Sequence, residues 1–345
     1  MIRICNSLNQ AGYDITLIGT KFSSSLPTHN RKFKQQRINC LFKKGFGFYA
    51  EYNIKLFLKL LFLKCDAICC IDLDTMIPVF FSGKIKNIKL IYDAHEYFSE
   101  LKEVATRKNI HRFWHFIEQT FVPQFKHGYT VCNSIANIFK QKYKVEYLTI
   151  MNAAVLENTT PRTTSNNKII YQGAVNEARG LEFLIPAMQN VDAELYIYGG
   201  GNYIEQTKNL IKKFNLEEKV FLKGKLSPNE LNEITSDYYI GINLIENAGL
   251  NQYYSLANKF FDYIHAGIPQ ITMNFPEYKK INDETEVAIC IDDLDPKSIS
   301  NAINNLINDK IKYESLKLNC TKAKLKYNWQ NEEKKLIAFY KNIFG

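Results

Sequence analysis

Short apolar runs rich in β-branched residues recur along the chain, and stretches with helical periodicity separate most of them. Buried parallel strands read as continuous apolar runs, and strand–helix alternation is typical of parallel sheets with helices on both faces. The pattern predicts one set of strands in each half of the chain. The predicted strands are residues 14–19, 67–71, 89–92 and 128–132, then 168–171, 194–198, 220–222, 239–244 and 269–272, with helices such as 203–214 and 228–235.

A polar stretch separates the two sets of strands. Residues 157–167 are rich in Asn, Thr and Ser and have the composition of an interdomain linker. The sequence therefore predicts an α/β protein with two Rossmann-like domains of similar size and a cleft between them. We expect one domain over residues 1–155 and a second over residues 168–330.

The start of the chain differs from that of an ordinary Rossmann-like domain. Residues 1–11 have the pattern of a helix, with Ile4 and Leu8 on one face and Gly12 as a stop. A strand and a tight loop normally precede that helix, and neither is present. Either the first sheet lacks its first strand or the start is truncated.

Composition narrows the class of protein. The 345 residues are 46% hydrophobic and 23% charged, which is ordinary for a globular protein and argues against disorder and coiled coils. The longest apolar stretch, residues 56–63, contains Lys59 and is shorter than the about 20 residues that a spanning helix needs. The chain turns polar too early for a signal peptide, and its eight cysteines form no CxxC pair. We expect reduced thiols and a cytoplasmic location.

Positive charge is concentrated in the first half. Residues 1–150 contain 22 Lys and Arg against 11 Asp and Glu, and residues 31–64 contain nine basic residues against Glu51. These basic residues alternate with aromatic and aliphatic ones, so two interpretations stay open: a solvated face, or a surface that binds an anionic membrane. The spacing of Leu56, Phe57, Leu60 and Leu61 suits a membrane face and a core face equally well. No nucleic-acid motif accompanies the charge.

Residues 246–269 contain the most informative candidate site. Ser255 is positioned to cap a helix that runs to about His265 and stops at Gly267. The spacing places Asn258, Asp262 and His265 on one face of this helix. Its N-terminus suits a phosphate, and Asp262 one turn later can accept hydrogen bonds from two ribose hydroxyls. A helix with a solvated polar face is the alternative.

Two further segments place polar residues at the carboxyl ends of predicted strands, where open α/β sheets bind ligands. In one, Gly173 follows a strand and Arg179 precedes a helix, so that Arg179 can contact phosphate oxygens. In the other, a strand leads directly to Asp93, His95 and Glu96, which can act as acids, bases or acceptor ligands.

Other motifs are weak. The triplet Asp72-Leu-Asp74 resembles a metal-binding DxD, but such triplets arise often by chance. His111 and His115 have the spacing of a metal pair, although a polar helix face accounts for them better because no matching ligand motif stands beside them. The glycines at residues 199–201 follow a strand but do not complete a dinucleotide fingerprint. We expect no metal site and no cofactor.

Taken together, these segments resemble family 4 (group 1) glycosyltransferases. The run from Tyr253 to Pro269 looks like the donor-nucleotide segment of that family, and residues 171–181 and 92–98 resemble it in the expected order and spacing. The resemblance implies the GT-B fold, a nucleotide sugar bound mainly by the second domain, retention of anomeric configuration and no essential metal. It also implies that residues 331–345 form a helix that crosses back to the first domain.

The resemblance assigns roles residue by residue. Catalytic roles fall to His95 and Arg179, and acceptor-side roles to Asp74 and Glu96. The nucleotide-sugar residues implied are Gly173, Arg179, Ser255, Asn258, Lys259 and Asp262. The chain departs from the family pattern at Tyr254, where the first of two spaced acids usually stands, at Ala174, where an Arg is frequent, and at Ala257, where many members have Pro.

The function implied is transfer of a sugar from a nucleotide-diphosphate sugar to a hydroxyl acceptor, in cell-surface polysaccharide or lipid-linked glycan synthesis. The partners expected are the nucleotide sugar, a glycan or lipid-linked acceptor and an anionic membrane surface, with a peripheral location at the inner face of the cell membrane. A sugar-nucleotide epimerase of the same fold and a non-catalytic nucleotide-sugar-binding subunit are the alternatives.

Overall fold

The computed structural model describes residues 1–22, 25, 27–157 and 167–345. These residues form two compact units. The first contains residues 1–150 and 332–345, and the second contains residues 151–331. Most of the predicted linker lies outside the described residues, so that interpretation of residues 157–167 stays a prediction.

Parallel strands and helices alternate in both units. The first unit contains α1 (Ile2–Gln10), β1 (Thr16–Lys21), β2 (Lys34–Asn39), α2 (Gly45–Phe62), β3 (Ala67–Ile71), α3 (Met76–Lys86), β4 (Lys89–Ala94), α4 (Lys102–Ala105), α5 (Lys108–Phe121), β5 (His127–Thr130), α6 (Asn133–Tyr143) and β6 (Leu148–Thr149). The second contains β7 (Lys168–Gln172), α7 (Leu181–Ala187), β8 (Glu194–Tyr198), α8 (Ile204–Lys213), β9 (Val220–Gly224), α9 (Pro228–Thr235), β10 (Ile240–Asn243), α10 (Leu250–Tyr253), α11 (Asn258–Ala266), β11 (Gln270–Met273), α12 (Pro276–Glu284), β12 (Ala288–Ile291), α13 (Pro296–Asn308) and α14 (Lys310–Lys326).

The last helix, α15 (Trp329–Phe344), begins in the second unit and ends in the first. Within the first unit its aromatic side chains pack on residues of the core. The Tyr340 ring lies 5.8 Å from that of Tyr13, and the Phe339 ring lies 5.4 Å from that of Tyr129. The end of the chain is thereby tied to the start of the same unit.

The strands of the first unit form two sheets. β1 and β2 pair in parallel, and a four-stranded parallel sheet has the order β3-β4-β5-β6. The expected helix precedes the first strand. In the described part of the chain, β1 pairs with no strand other than β2, and β3 with none other than β4. The apolar pattern did not predict β2, because this strand is polar and mostly exposed.

The second unit is built on one six-stranded parallel sheet. Its order is β12-β11-β10-β7-β8-β9, so β7 and β10 are central neighbours. Their buried residues, such as Ile170 and Ile242, have no exposed surface, as expected for strands covered on both faces. Because the strands are parallel, the carboxyl ends of β7 and β10 lie at the same edge, which is where an open α/β sheet binds ligands.

The face of α2 that its spacing left open packs on the core, and a second apolar face is exposed. Leu56 and Leu60 are buried in the core, whereas Ile54, Leu58 and Phe62 are 61%, 50% and 85% exposed. An apolar stripe at i, i+4 and i+8 therefore faces away from the core. Among the described residues, no helix is long and apolar enough to cross a membrane.

Candidate functional site

The loop after β7 is shaped by two glycines with positive φ. Gly173 follows the strand at φ 126°, and Gly180 occupies the N-cap of α7 at φ 77°. A Cβ atom at Gly180 would lie 2.6 Å from the Cβ atom of Leu244, directly after β10, so no larger residue fits. Arg179 immediately precedes this cap and is half-buried. The close approach of the loop to the end of β10 thus fixes the position of Arg179.

The glycines at residues 199–201 support this loop. A Cβ atom at Gly199 would lie 1.8 Å from the carbonyl oxygen of Gly173, and one at Gly201 would lie 2.2 Å from that of Val175. The backbone N–H of Val175 donates to the carbonyl of Gly200 at 3.2 Å. Close packing of two loops at the carboxyl ends of β7 and β8 accounts for these glycines without a dinucleotide.

Lys259, in the first turn of α11, has an unusual environment for a lysine. It is buried, and its Nζ lies 3.9 Å from the centre of the Tyr171 ring. Among the described residues, Nζ has no hydrogen-bond acceptor. Burial and the nearby Arg179 guanidinium hold the pKa of Lys259 well below its usual value, and Asp262 only partly opposes them. The site therefore contains a buried amino group without an acceptor, and an anionic ligand both satisfies its hydrogen bonds and favours its protonated form.

Asp262 lies one turn further along α11 and is held by a series of hydrogen bonds that starts from the sheet. Gln172, the last residue of β7, donates from Nε2 to Asp262 Oδ2 at 3.0 Å. Thr235 in turn donates to Gln172 Oε1 at 3.0 Å, and both Gln172 and Thr235 are buried. These two hydrogen bonds fix the orientation of the Asp262 carboxylate near the start of α11.

The start of α11 corrects one prediction. Ser255 does not cap the helix, because α11 begins at Asn258 with Ala257 at the N-cap. The hydroxyl of Ser255 donates instead to the carbonyl of Gln252 at 2.8 Å, and the backbone N–H of Ala257 donates to the Tyr278 hydroxyl at 3.0 Å. Asn258 is exposed, whereas Phe260, Phe261 and Ile264 are buried.

A second polar group lies at the carboxyl ends of β3 and β4 in the first unit. His95 Nε2 lies 3.2 Å from Oδ2 of the buried Asp93, and the backbone N–H of His95 donates to Asp72 Oδ1 at 2.9 Å. The charges of Asp74 and Glu96 also act on Asp72. The structure thus brings together the predicted residues His95, Asp74 and Glu96.

Burial and charge perturb this group. Burial raises the pKa of Asp74 to about 6. For His95, burial lowers the pKa, but the hydrogen bond and charge of Asp93 and the charge of Asp72 outweigh it, so that the pKa lies above its usual value. The described residues contain no cluster of His, Cys, Asp or Glu that could hold a metal ion.

The structure forms two polar clusters, one in each unit. Sequence reasoning missed the supporting residues Tyr171, Gln172 and Tyr278 in the second unit. The position of Gln172 at the end of a predicted strand was an available signal. Nothing in the sequence marked Tyr278, because its contact with Ala257 joins segments that only the fold brings together. In the first unit, sequence reasoning missed Asp72, because the DxD triplet that contains it arises often by chance.

The family comparison matches the second unit. Residues 156–323 match the family model described as Glycosyl transferases group 1. No curated protein matches the chain in sequence.

Solved structures share the fold over nearly the whole chain. Sucrose-phosphate synthase from Thermosynechococcus elongatus has a TM-score of 0.82 at 14% identity, over 99% of this chain and 92% of that one. WaaG, a glycosyltransferase involved in lipopolysaccharide biosynthesis, has a TM-score of 0.75 at 12% identity, over 97% and 93%. Anabaena Alr3699/HepE in complex with UDP-glucose has a TM-score of 0.71 at 11% identity, over 90% and 86%. These likenesses confirm the expected GT-B fold.

Proposed function

We propose that this chain, whose residues 156–323 match the model of the group 1 glycosyltransferases, belongs to that family and transfers a sugar from a nucleotide-diphosphate sugar to a hydroxyl acceptor. The observation that carries the proposal is the buried, unpaired Lys259 between Tyr171 and Arg179, beside the oriented Asp262. Two cations suit a diphosphate, and a carboxylate one helical turn away suits the two hydroxyls of a ribose.

The proposed chemistry follows from this distribution of charge. When the bond between the sugar C1 and the diphosphate oxygen breaks, negative charge develops on the diphosphate. Arg179, Lys259 and the first turn of α11 then stabilise that charge, while Asp262 holds the ribose. His95 is a proposed contact of the transferred sugar, and Asp74 and Glu96 are proposed acceptor-side residues.

Retention of configuration and independence of metal are further parts of the proposal. Both rest on the family resemblance. NMR of the product anomer tests retention, and an activity assay after chelation tests independence of metal. We expect a product with the anomeric configuration of the donor, and activity that persists in excess EDTA. A product with inverted configuration would reject retention. Loss of turnover in EDTA that Mg²⁺ or Mn²⁺ restores would reject independence of metal.

A thermal-shift panel of nucleotide sugars tests the function itself. UDP-, GDP- and ADP-sugars are compared with their free sugars. A ligand at 100 times its dissociation constant adds about 2.7 kcal/mol to the free energy of unfolding, so a cognate donor gives a clear shift. The stabilisation should fall to about 0.4–1.4 kcal/mol in Lys259→Met and Asp262→Ala, as 10- to 100-fold weaker binding requires, and stay unchanged in Lys208→Met, an exposed lysine of the same unit. A wild-type protein that no nucleotide sugar stabilises would overturn the proposal.

We also propose that the acceptor lies at an anionic membrane, in cell-surface polysaccharide or lipid-linked glycan synthesis. Exposed apolar side chains line three helices of the first unit, of which α3 contacts both α2 and α5. They are Ile54, Leu58 and Phe62 on α2, Phe81 and Ile85 on α3, and Phe113 and Phe116 on α5. Exposed basic residues accompany them, including Lys44, Lys64, Lys84, Lys108 and Arg112. Apolar side chains beside basic ones suit the headgroup region of anionic lipids.

Liposome co-sedimentation tests the membrane proposal. Binding should need phosphatidylserine or phosphatidylglycerol, decrease with salt, and weaken in Leu58→Gln with Phe62→Gln. The matched control is Ile311→Gln with Leu318→Gln, which changes exposed apolar residues of α14 in the second unit. Binding that is absent or indifferent to lipid charge would reject the membrane surface and leave the nucleotide-sugar proposal standing.

A further inference from the structure

The amino group of Lys259 is buried without a hydrogen-bond acceptor. The residue is 9% exposed, and nothing in the described part of the chain accepts a hydrogen bond from Nζ. Nζ lies instead 3.9 Å from the centre of the Tyr171 ring, whose own hydroxyl donates to the carbonyl of Ala174 at 2.7 Å. A buried ammonium would carry three donors with no acceptor, so the surroundings favour the neutral amine.

The charged groups around Lys259 do not compensate for its burial. Arg179, in the loop after β7, adds a second positive charge, and Asp262, one turn further along α11, is the opposing negative charge. Gln172 already donates to the Asp262 carboxylate at 3.0 Å. Burial and Arg179 outweigh Asp262, so that the pKa of Lys259 lies well below its usual value.

The neighbouring phenols on β7 and α12 stay neutral. Arg179 and Glu182 of α7 act on the Tyr171 hydroxyl with opposite signs, and burial raises its pKa. Burial also raises the pKa of Tyr278 on α12, whose ring centre lies 5.1 Å from that of Phe260. The group whose protonation a ligand can change near neutral pH is therefore Lys259.

A diphosphate reverses the balance at Lys259. Its oxygens can accept the hydrogen bonds of Nζ, and its negative charges favour the ammonium over the neutral amine. Each phosphate of a nucleotide-diphosphate sugar carries one strongly acidic group, so the ligand itself exchanges no proton near neutral pH. A proton that enters on binding therefore goes to the protein.

We propose that Lys259 takes up one proton from solvent when a nucleotide-diphosphate sugar binds, so that the site binds the diphosphate and the proton together. The inference rests on the proposed function and adds to it a control of donor binding by pH. The Nζ lone pair accepts the proton, and the ammonium pairs with a phosphate oxygen. When the nucleoside diphosphate leaves, the proton returns to solvent.

Titration calorimetry in HEPES and in Tris, two buffers of different ionisation enthalpy, measures the proton directly. The ligand is the UDP-, GDP- or ADP-sugar that most stabilises the wild-type protein. At about pH 8 the difference in binding enthalpy should correspond to uptake of about one proton per donor, and affinity should fall by up to about tenfold per pH unit as pH rises. Lys259→Met should lose this uptake, and Lys208→Met, at an exposed lysine of the same unit, should retain it.

Thermal unfolding of the free protein supplies a second measurement, which needs no donor. A lysine that is neutral in the folded state gains a proton on unfolding, so its contribution to stability rises with pH. Lys259→Met should therefore melt above the wild type at about pH 7, and the difference should close as pH rises towards about 10. The difference between Lys208→Met and the wild type should stay constant.

Three results would overturn the inference and leave the proposed function standing. They are donor binding without proton uptake, uptake that Lys259→Met retains, and a difference in melting temperature between Lys259→Met and the wild type that does not change with pH. Failure of the proposed function is recognised separately, because no nucleotide sugar would then stabilise the wild-type protein.

Discussion

Replacement of Lys259 by methionine should change stability and binding in opposite directions. Methionine has a similar length and volume but no amino group, so the packing against Tyr171 is kept and the buried polar group is removed. In the ligand-free protein that amino group has no hydrogen-bond acceptor among the described residues. With nucleotide sugar bound, the proposed acceptor is a phosphate oxygen.

The magnitudes decide the sign of each change. An unpaired buried polar group costs about 1–3 kcal/mol, and more if it is charged. The contact with the Tyr171 ring at 3.9 Å returns about 0.5–2 kcal/mol, so Lys259→Met should stabilise the protein by about 1 kcal/mol, or about 2–4 °C in the melting temperature. Loss of a hydrogen bond to a charged group costs about 1.5–3 kcal/mol, which weakens nucleotide-sugar binding about 10- to 100-fold.

Calorimetry measures both quantities on the same preparations, by thermal unfolding and by titration with the nucleotide sugar. Lys208→Met is the matched control, because Lys208 lies on the surface of the second unit, where its ion pair with Glu205 contributes little. A Lys259→Met protein that is less stable than the wild type, or that binds with unchanged affinity, would refute the reasoning.

Three further predictions concern single residues. Asp262→Ala should weaken nucleotide-sugar binding about 10- to 100-fold, and unchanged titration calorimetry of a folded variant would remove the ribose role. Arg179→Lys keeps the charge but loses the planar guanidinium, so steady-state kinetics should show a larger fall in turnover than in affinity. Kinetics equal to those of the wild type would show that Arg179 does not stabilise the leaving diphosphate. Burial raises the pKa of Asp74 to about 6 from 3.8, so the folded state retains a proton that the unfolded state releases, and stability is lost as pH rises from about 4 through 6. Asp74→Asn should therefore gain about 1–3 kcal/mol at pH 8 and little at pH 4, and a pH profile of melting temperatures parallel to that of the wild type would contradict this.

The strands that the sequence predicted are continuous apolar runs. The strands of residues 67–71 and 194–198 have the predicted bounds, although each alternates buried with half-buried positions and the first of them lies at the edge of its sheet. Strand β2 was missed because its residues are mostly polar and half of them are exposed. The residues that a strand selects depend on its surroundings, so a polar strand leaves no apolar run in the sequence.

The candidate site was predictable where one segment carries it. Asn258 and Asp262 belong to a single helix, so their spacing already placed them on one face, and the family resemblance added Lys259. The support of that helix was not predictable, because Gln172 and Tyr278 reach it from distant parts of the chain. The positive φ of Asp72 was not predictable either, because its sequence context contains no glycine that would have indicated it.

The division of the first unit into two sheets has a consequence for its motions. A pair of strands alone is marginally stable in water, and β1 has just β2 as a strand partner in the described chain. The β1–β2 pair should therefore open in a local event that leaves β3–β6 folded, at a lower free energy than global unfolding. Amide hydrogens of β1 and β2 would then exchange with solvent well before those of β4 in the middle of the four-stranded sheet, so the unit behaves as two cooperative blocks within one domain.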